Sequence, residues 1–470
     1  MDGKKIHLKS FGCQMNKLDS SLLAAALTEN GWEMTDSPAE ADVVVINTCS
    51  VREHAEQRVF SHLGHLQHLK KSRPHLLVAV IGCMAQRLGP QLLEHPVVDL
   101  AAGPEQLHEV PALLQQAIEE RRKILAVTET IRRPADSPDV HTVSERLDEF
   151  EVAYDSDENH LKSQAFIRAM RGCNNFCTFC IVPYVRGPEV SRPPKVILQQ
   201  AQKLAEQGIQ QITLLGQTIN SYRYTENGRT YTLADLLEIV SQIDSIRWIH
   251  FITSHPAKME DSVFEAMAHL PKVCPYLHMP AQSGSDRILK AMNRGYTARQ
   301  YLDLIEKARS IVPNLAVTGD FIVGFPGETE EDFEATADLV QKVRYKNCFI
   351  FKYSPRPGTY ADKRLEDNVP AEVKQQRNIR LLELVNQIAE EDNRRFFGQT
   401  LEVLVEGPSK KPHLNKAESA DQPQLIGRTA HDYIVVFNGP AELAGQFVQV
   451  KITKTSALTL FGKWVNQARK

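Results

Sequence analysis

The sequence has no uninterrupted apolar run approaching the ~20 residues that cross a bilayer, which excludes a helical membrane span. Its start, Met1-Asp2-Gly3-Lys4-Lys5, lacks the apolar segment and cleavage site of a secretory leader, so a cytoplasmic protein is expected. Strong charge of either sign is missing too. The 55 Lys and Arg against 58 Asp and Glu leave −3, which excludes a generally basic nucleic-acid coat but not a local basic face. Hydrophobic content of 42% and charged content of 24% fit a globular chain, and 470 residues at ~100–200 per domain predict about three domains.

Cysteine is what stands out. Eight cysteines in a reducing compartment argue for metal or redox chemistry rather than disulfides. Three fall within Cys173-Asn174-Asn175-Phe176-Cys177-Thr178-Phe179-Cys180, on a loop soon after the apolar pair Phe166-Ile167. Thiolates so spaced can converge on one soft metal site. A structural zinc site closes its tetrahedron with four protein ligands, whereas three thiolates on an iron–sulfur cubane leave one iron open. The alternative is a zinc knuckle with a distant fourth ligand.

The N-terminal stretch alternates strand and helix. Residues 5–11 read as a strand ending at Gly12-Cys13, followed by a helix from Leu18 to Leu27. Asp42 to Ile46 is a buried strand ending at Asn47-Thr48-Cys49, with a helix from Arg52, and Leu76 to Ile81 is a third, ending at Gly82-Cys83. Such alternation predicts a parallel sheet whose ligands gather beyond the carboxyl ends of its strands. Cys13, Cys49 and Cys83 all occupy that position, which predicts a second metal site. Each cysteine alone would be ordinary core filling.

From Ile131 to His160 no periodicity stands out, and Asp148 to Glu158 holds six acidic residues and no basic one. This reads as a solvated connector or extended strap. Beyond the cysteine loop, Pro193-Pro194 opens a helix to Gln207, and strands are expected at 165–168, 209–215, 248–253, 276–279, 315–323 and 348–353. Six units are too few for a closed eight-stranded barrel, so an open, partial (β/α)6 barrel is inferred. The segments just past its strands should form the active face: Gly216-Gln217-Thr218-Ile219-Asn220, Ser254-His255-Pro256, Gln282-Ser283-Gly284-Ser285 and Gly324-Phe325-Pro326-Gly327-Glu328. Arg186, Glu189 and Arg192 could pair with one another or meet a ligand carboxylate. Cys274 and Cys348, near strand starts, read as buried thiols that bind no metal.

Pro370 to Phe397 reads as a long helix. Short strands then follow at 401–405, 433–437 and 446–452, predicting a small β-barrel. Residues 398–470 hold nine Lys and Arg against six Asp and Glu, leaving −6 on the remainder, a sign change that suits RNA contact. The whole is an α/β chain: an N-terminal parallel α/β domain (1–127), a linker (128–160), a central partial barrel (161–397) and a C-terminal barrel (398–465).

The CxxxCxxC loop with Ile181-Val182-Pro183-Tyr184-Val185-Arg186-Gly187 resembles the radical S-adenosylmethionine superfamily. Phe11-Gly12-Cys13-Gln14-Met15-Asn16, Asn47-Thr48-Cys49-Ser50-Val51-Arg52-Glu53 and Gly82-Cys83-Met84-Ala85-Gln86 resemble the N-terminal motifs of its methylthiotransferases, and the tail from Gly398 resembles a TRAM domain. Phe179 stands where Tyr is frequent and Thr218 where Asn is, without touching the ligands.

The resemblance implies two 4Fe–4S clusters, one on Cys173, Cys177 and Cys180, whose open iron chelates S-adenosylmethionine, and an auxiliary one on Cys13, Cys49 and Cys83. One S-adenosylmethionine would supply a methyl group, a second a 5′-deoxyadenosyl radical, because an adenine C2–H is neither acidic nor polarised enough for acid–base chemistry. Gly216 and Gln217 would meet the methionine end, with Ser254, Gln282, Ser283 and Gly324 completing the pocket. The implied product is the 2-methylthio derivative of N6-isopentenyladenosine in the anticodon stem-loop of tRNA. Other members act on threonylcarbamoyladenosine in tRNA or on a ribosomal protein aspartate, and a non-catalytic metal-bearing RNA-binding protein is the rival outside enzymes. A flavodoxin-like electron donor, an iron–sulfur carrier and a monomeric state are also expected.

Overall fold

The computed structural model describes residues 3–50, 53–154, 163–409 and 422–465. Six strands, β1 (Lys5–Phe11), β2 (Glu33–Met34), β3 (Val43–Thr48), β4 (Leu77–Gly82), β5 (Leu100–Ala102) and β6 (Ile124–Ala126), form one parallel sheet in the order β2-β1-β3-β4-β5-β6. Every residue of β3 and β4 is buried, as expected of apolar strands covered by helices on both faces. Helices α1 (Gln14–Glu29), α2 (Glu53–Ser72), α3 (Cys83–Glu94) and α4 (Val110–Glu120) supply that cover. Arg52, where the sequence pattern starts α2, lies outside the described residues.

The acidic connector is not a solvated strap. Residues Pro138–Ala153 form helix α5, in which Glu151 is fully buried and Asp148 nearly so. Both carboxylates are counter-ions of arginines in the following segment: Arg171 Nη2 lies 2.7 Å from each, and Arg192 Nε donates to Asp148 Oδ1 at 2.7 Å. Residues 155–160 of that stretch lie outside the described residues.

The central region continues with β7 (Gln164–Arg168), a short antiparallel pair β8 (Met170–Arg171) and β9 (Val190–Ser191), and β10 (Gln211–Leu215). An antiparallel hairpin, β11 (Arg223–Glu226) and β12 (Arg229–Thr232), precedes β13 (Trp248–Ile252), β14 (Tyr276–His278), β15 (Ala316–Val323) and β16 (Asn347–Lys352). The six long-range strands are parallel and run in two groups, β13-β10-β7 and β14-β15-β16. The amides of Cys274 and Ser254 bond the carbonyls of Ile249 and His278 across the join, giving the partial barrel expected. Capping boxes at Thr232, Thr297 and Thr329 start three of its helices.

Side-chain alternation separates the two faces of this sheet. Ile167, Leu214 and Phe251 pack into the helix-facing core, whereas Leu215 joins the N-terminal domain's buried cluster and Phe166 and Ile252 pack against it. Arg168, on that same inward face, pairs with Asp19 of α1. The N-terminal domain thus covers the carboxyl-end part of the inner face of the first three strands.

The helix Ala371–Asn393 ends the barrel. A closed antiparallel and parallel barrel follows, built from β17 (Thr400–Pro408), β18 (Gln424–Arg428), β19 (Ile434–Asn438), β20 (Phe447–Thr455) and β21 (Thr459–Trp464) in the order β17-β18-β19-β21-β20. It rests on the amino ends of the central strands. Trp248, the first residue of β13, meets Phe447 edge-on at 4.7 Å, and Ala316, the first of β15, lies in the barrel's own core cluster.

Candidate functional site

Cys13, Cys49 and Cys83 each stand one position beyond a carboxyl strand end or a single glycine from it, on β1, β3 and β4, which are neighbours in the sheet. The loops carrying them approach closely because glycines allow it. A side chain on Gly12 would lie 2.9 Å from Cys49 Cβ, and one on Gly82, whose φ is +92°, would lie 2.5 Å from Asn47 Oδ1. Asn16 and Asn47 then lock the loops: Asn16 Nδ2 donates to Asn47 Oδ1 at 3.0 Å, and Asn47 Nδ2 donates to Asn16 O and Ser20 Oγ at 2.8 and 2.9 Å. The Cys13 thiol is brought down to about 6, through its hydrogen bond with Cys49 and, against burial, the Arg186 charge. Burial raises that of Cys83, and Arg186 opposes it.

The second trio follows β7 and β8. Cys173 and Cys177 are buried and Cys180 is partly so. Burial, then the sulfurs of Cys177 and Cys173, hold the proton on Cys180, so these three groups sense one another. Thr218 Oγ1 lies 3.4 Å from Cys173 Sγ, with Asn175 Nδ2 donating to Thr218 Oγ1 at 2.8 Å. A buried guanidinium serves each trio. Arg294 Nη1 donates to Cys177 Sγ at 3.2 Å, and Arg186 Nε donates to Cys83 Sγ at 3.2 Å while its Nη2 donates to Asp19 Oδ2 at 2.8 Å.

Arg186 belongs to the loop that carries the second trio, so it ties the two sets together. Cys83 packs in one apolar cluster with Ile181 and Val185, and Ile181 is the residue after Cys180. Among the described residues, no group of three or more His, Cys, Asp or Glu is arranged to hold a metal ion. A cubane does not ask three sulfurs to meet at one ion, because each thiolate binds a different iron. The thiols of each trio influence one another, and a guanidinium beside each offsets the negative charge that three thiolates bring. This donor set fits such a group.

The polar rim named from the sequence divides in two. Gln217 Oε1, Ser254 Oγ and Gln282 Oε1 are buried with no hydrogen-bond partner among the described residues, as expected of groups reserved for a ligand. Gly216 fits closely against Met170, where a side chain would fall 2.7 Å from Cγ. Ser283 and Gly324 are engaged internally: Ser283 Oγ lies 3.3 Å from Thr336 Oγ1, and the Gly324 amide donates to Glu328 Oε1 at 2.8 Å. His255 adds a donor that was quoted only as part of its loop. Burial, with Arg294 and Lys258, brings it down to about 3, and Nδ1 accepts from the Ala257 amide at 3.2 Å. The neutral ring's proton therefore sits on Nε2, which is buried and unpartnered among the described residues.

Arg186, Glu189 and Arg192 do not pair with one another. Arg186 and Arg192 bind acidic groups of α1 and α5, and the Glu189 amide donates to Asn174 Oδ1 at 3.2 Å. Sequence reading missed Arg294, Asp19 and the Asn16–Asn47 lock. Asn16 and Asn47 did lie inside the quoted motifs, whereas Arg294 stands 117 residues from Cys177 with no local signal. Cys274 and Cys348 are buried, as expected.

The chain matches family models described as the Radical SAM superfamily over residues 167–340, Uncharacterized protein family UPF0004 over 5–103 and the TRAM domain over 394–465. A tRNA-2-methylthio-N(6)-dimethylallyladenosine synthase of Rhodopirellula baltica is 43% identical, covering 98% of this chain and 95% of that protein. Proteins of the same name from Porphyromonas gingivalis and Haemophilus influenzae are 40% and 41% identical, each across 98% of this chain and across 95% and 92% of their own lengths. Among solved structures, the radical S-adenosylmethionine methyltransferase TsrM of Kitasatospora setae, with cobalamin and a 4Fe–4S cluster bound, superposes with a TM-score of 0.52. It is 16% identical and covers 77% of this chain and 74% of that one, a likeness of fold alone.

Proposed function

The chain belongs to the family of the tRNA-2-methylthio-N(6)-dimethylallyladenosine synthases, and from that premise we propose how its residues divide the work. It is a radical S-adenosylmethionine enzyme that methylthiolates tRNA, using S-adenosylmethionine and iron–sulfur chemistry. The finer reading assigns two clusters. Cys173, Cys177 and Cys180 hold the one that binds S-adenosylmethionine, and Cys13, Cys49 and Cys83 hold the other. When bound, these groups supply the electron, the radical and the sulfur that a C2–H bond of adenine demands.

The protein's own part is positional. Gln217, Ser254 and Gln282, with His255 donating from Nε2, hold S-adenosylmethionine, Gly216 admits it closely, and Ser283 and Gly324 shape the far end of the pocket. Arg294 and Arg186 balance the charge of each thiolate set. The small C-terminal barrel grips the anticodon stem-loop, from which a base is splayed into the site more cheaply than from a duplex. A flavodoxin-like donor, an iron–sulfur carrier, a monomeric state and a cytoplasmic setting complete the reading, as does the functional division at 1–127, 128–160, 161–397 and 398–465.

The observation that carries this reading is the contact between the first trio and the segment that follows the second. Cys83 packs on Ile181 beside Cys180, and Arg186 reaches from one loop to the other. Two cofactors held there would share one substrate. The test is an anaerobic assay of reconstituted protein with reductant and S-adenosylmethionine, offered N6-dimethylallyladenosine-bearing tRNA or ribosomal protein. The 2-methylthio nucleoside is expected by mass spectrometry from the tRNA alone. Modification of the protein substrate, or no product from the tRNA, overturns the assignment.

A further inference from the structure

The barrel interior has a second wall that the cysteines do not account for. On β16, an edge strand, Cys348 lies in the helix-facing core and Ile350 packs against it, so Phe349 and Phe351 project to the inner face. Their rings stack at 6.4 Å between centroids and 20° between planes, and Phe349 is 53% exposed. Register carries this wall toward the cysteine loop. Phe349 pairs with Asp320 and Phe351 with Ile322 on β15, and Ile322 packs in the apolar cluster that also takes Phe179, between Cys177 and Cys180.

The carboxyl-end part of the inner face of β7, β10 and β13 packs on the N-terminal domain, while on this half Phe349 is exposed and Phe351 half-buried against it. A contiguous aromatic patch on an inner sheet face marks a binding surface more often than a scattered surface residue does. We propose that Phe349 and Phe351 receive the dimethylallyl group of the substrate adenine, which deepens, and rests on, the tRNA-methylthiotransferase reading above. The chemistry matches on two counts. A branched five-carbon chain on a flat purine offers only apolar surface to a ring pair, and an N6-substituted adenine keeps one N–H, for which the Asp320 carboxylate beside Phe349 is an acceptor. His278 Nε2, 3.3 Å from Asp320 Oδ1, orients that carboxylate.

The test compares binding of two synthetic anticodon stem-loop RNAs, with N6-dimethylallyladenosine or plain adenosine, to the reconstituted full-length protein by fluorescence anisotropy. The native protein should favour the prenylated RNA. Phe349→Ala combined with Phe351→Ala should lose about tenfold or more of that preference, since a single methylene in an apolar pocket discriminates roughly 10–200-fold. The same RNAs should bind a Phe349→Leu, Phe351→Leu variant with most of the preference kept, which separates lost apolar contact from misfolding. Undiminished preference in the alanine variant overturns the proposal, as does a native protein that forms product yet binds both RNAs equally. A strand of a second protein copy on the β16 edge would show instead as dimerisation abolished by the same substitutions, and would also overturn it. Should the native protein form no methylthio product at all, the functional reading fails and this inference with it.

Discussion

Lys346 Nζ lies 3.0 Å from Asp432 Oδ2, joining the end of the central barrel to the small C-terminal one. The ammonium also sits over the rings of Tyr433 and Tyr276, at 4.9 and 5.2 Å from their centroids. Burial brings it down to about 8, against the pull of Asp432. Truncating Asp432 strands the buried ammonium, whereas Asp432 deprived of Lys346 keeps Arg428 Nη1 as a donor to its Oδ1 at 2.7 Å. Asp432→Ala should therefore lower stability by about 3 kcal/mol. Lys346→Met should change it far less, as read from urea midpoints; equal losses would contradict the argument.

The two trios should separate by phenotype. Cys173→Ala should abolish reductive cleavage of S-adenosylmethionine, and Cys49→Ala should leave uncoupled cleavage without methylthio product. The readouts are 5′-deoxyadenosine and methylthiolated RNA by mass spectrometry, and unchanged product from either variant would refute the division of labour.

Arg186→Gln removes the donor to Cys83 and one of two arginine partners of Asp19. A guanidinium hydrogen-bonded to a ligand sulfur favours the more reduced cluster, so its loss should lower the reduction potential of the cluster proposed on Cys13, Cys49 and Cys83 and leave that of the one proposed on Cys173, Cys177 and Cys180 in place. Potentiometric electron paramagnetic resonance distinguishes the two. Arg186→Lys, which keeps the charge, should recover part of the shift.

Acid should loosen α5. Burial raises the proton affinity of Glu151, but Arg168, Arg171 and Arg192 together outweigh it and bring the carboxyl from 4.5 to about 2. The folded-state value is depressed, so the stability it contributes is complete above pH 4.5 and is lost as pH falls through about 2. Glu151→Gln should flatten that limb of the stability–pH curve. At neutral pH it should cost roughly 3–5 kcal/mol, because three arginines lose their shared counter-ion. Parallel limbs in chemical denaturation would count against this.

Much of this architecture was legible because it is periodic. The βα alternation located all six central strands and put Cys13, Cys49 and Cys83 at one sheet edge. The acidic stretch misled for the opposite reason: Asp148 and Glu151 look solvated until their arginines, 17 and more residues away, are folded onto them. Strands β18 and β21 and the β11–β12 hairpin were not foreseen, since Gly427 and Gly462 interrupt two of them and Arg, Thr and Glu dominate the third. Within the site, the cysteines were visible as spacing, but Arg294 and His255 were visible only as chemistry in three dimensions.

The C-terminal barrel meets the amino ends of the central strands, whereas both cysteine sets lie past carboxyl ends. A five-residue strand at about 3.3 Å per residue separates these levels by roughly 17 Å before any loop is counted. A ligand that touches both must span at least that distance, as a stem-loop does and a lone nucleoside does not. With the barrel as the proposed grip, the protein acts as a yardstick, reading the distance from grip to reactive atom as well as the atom itself.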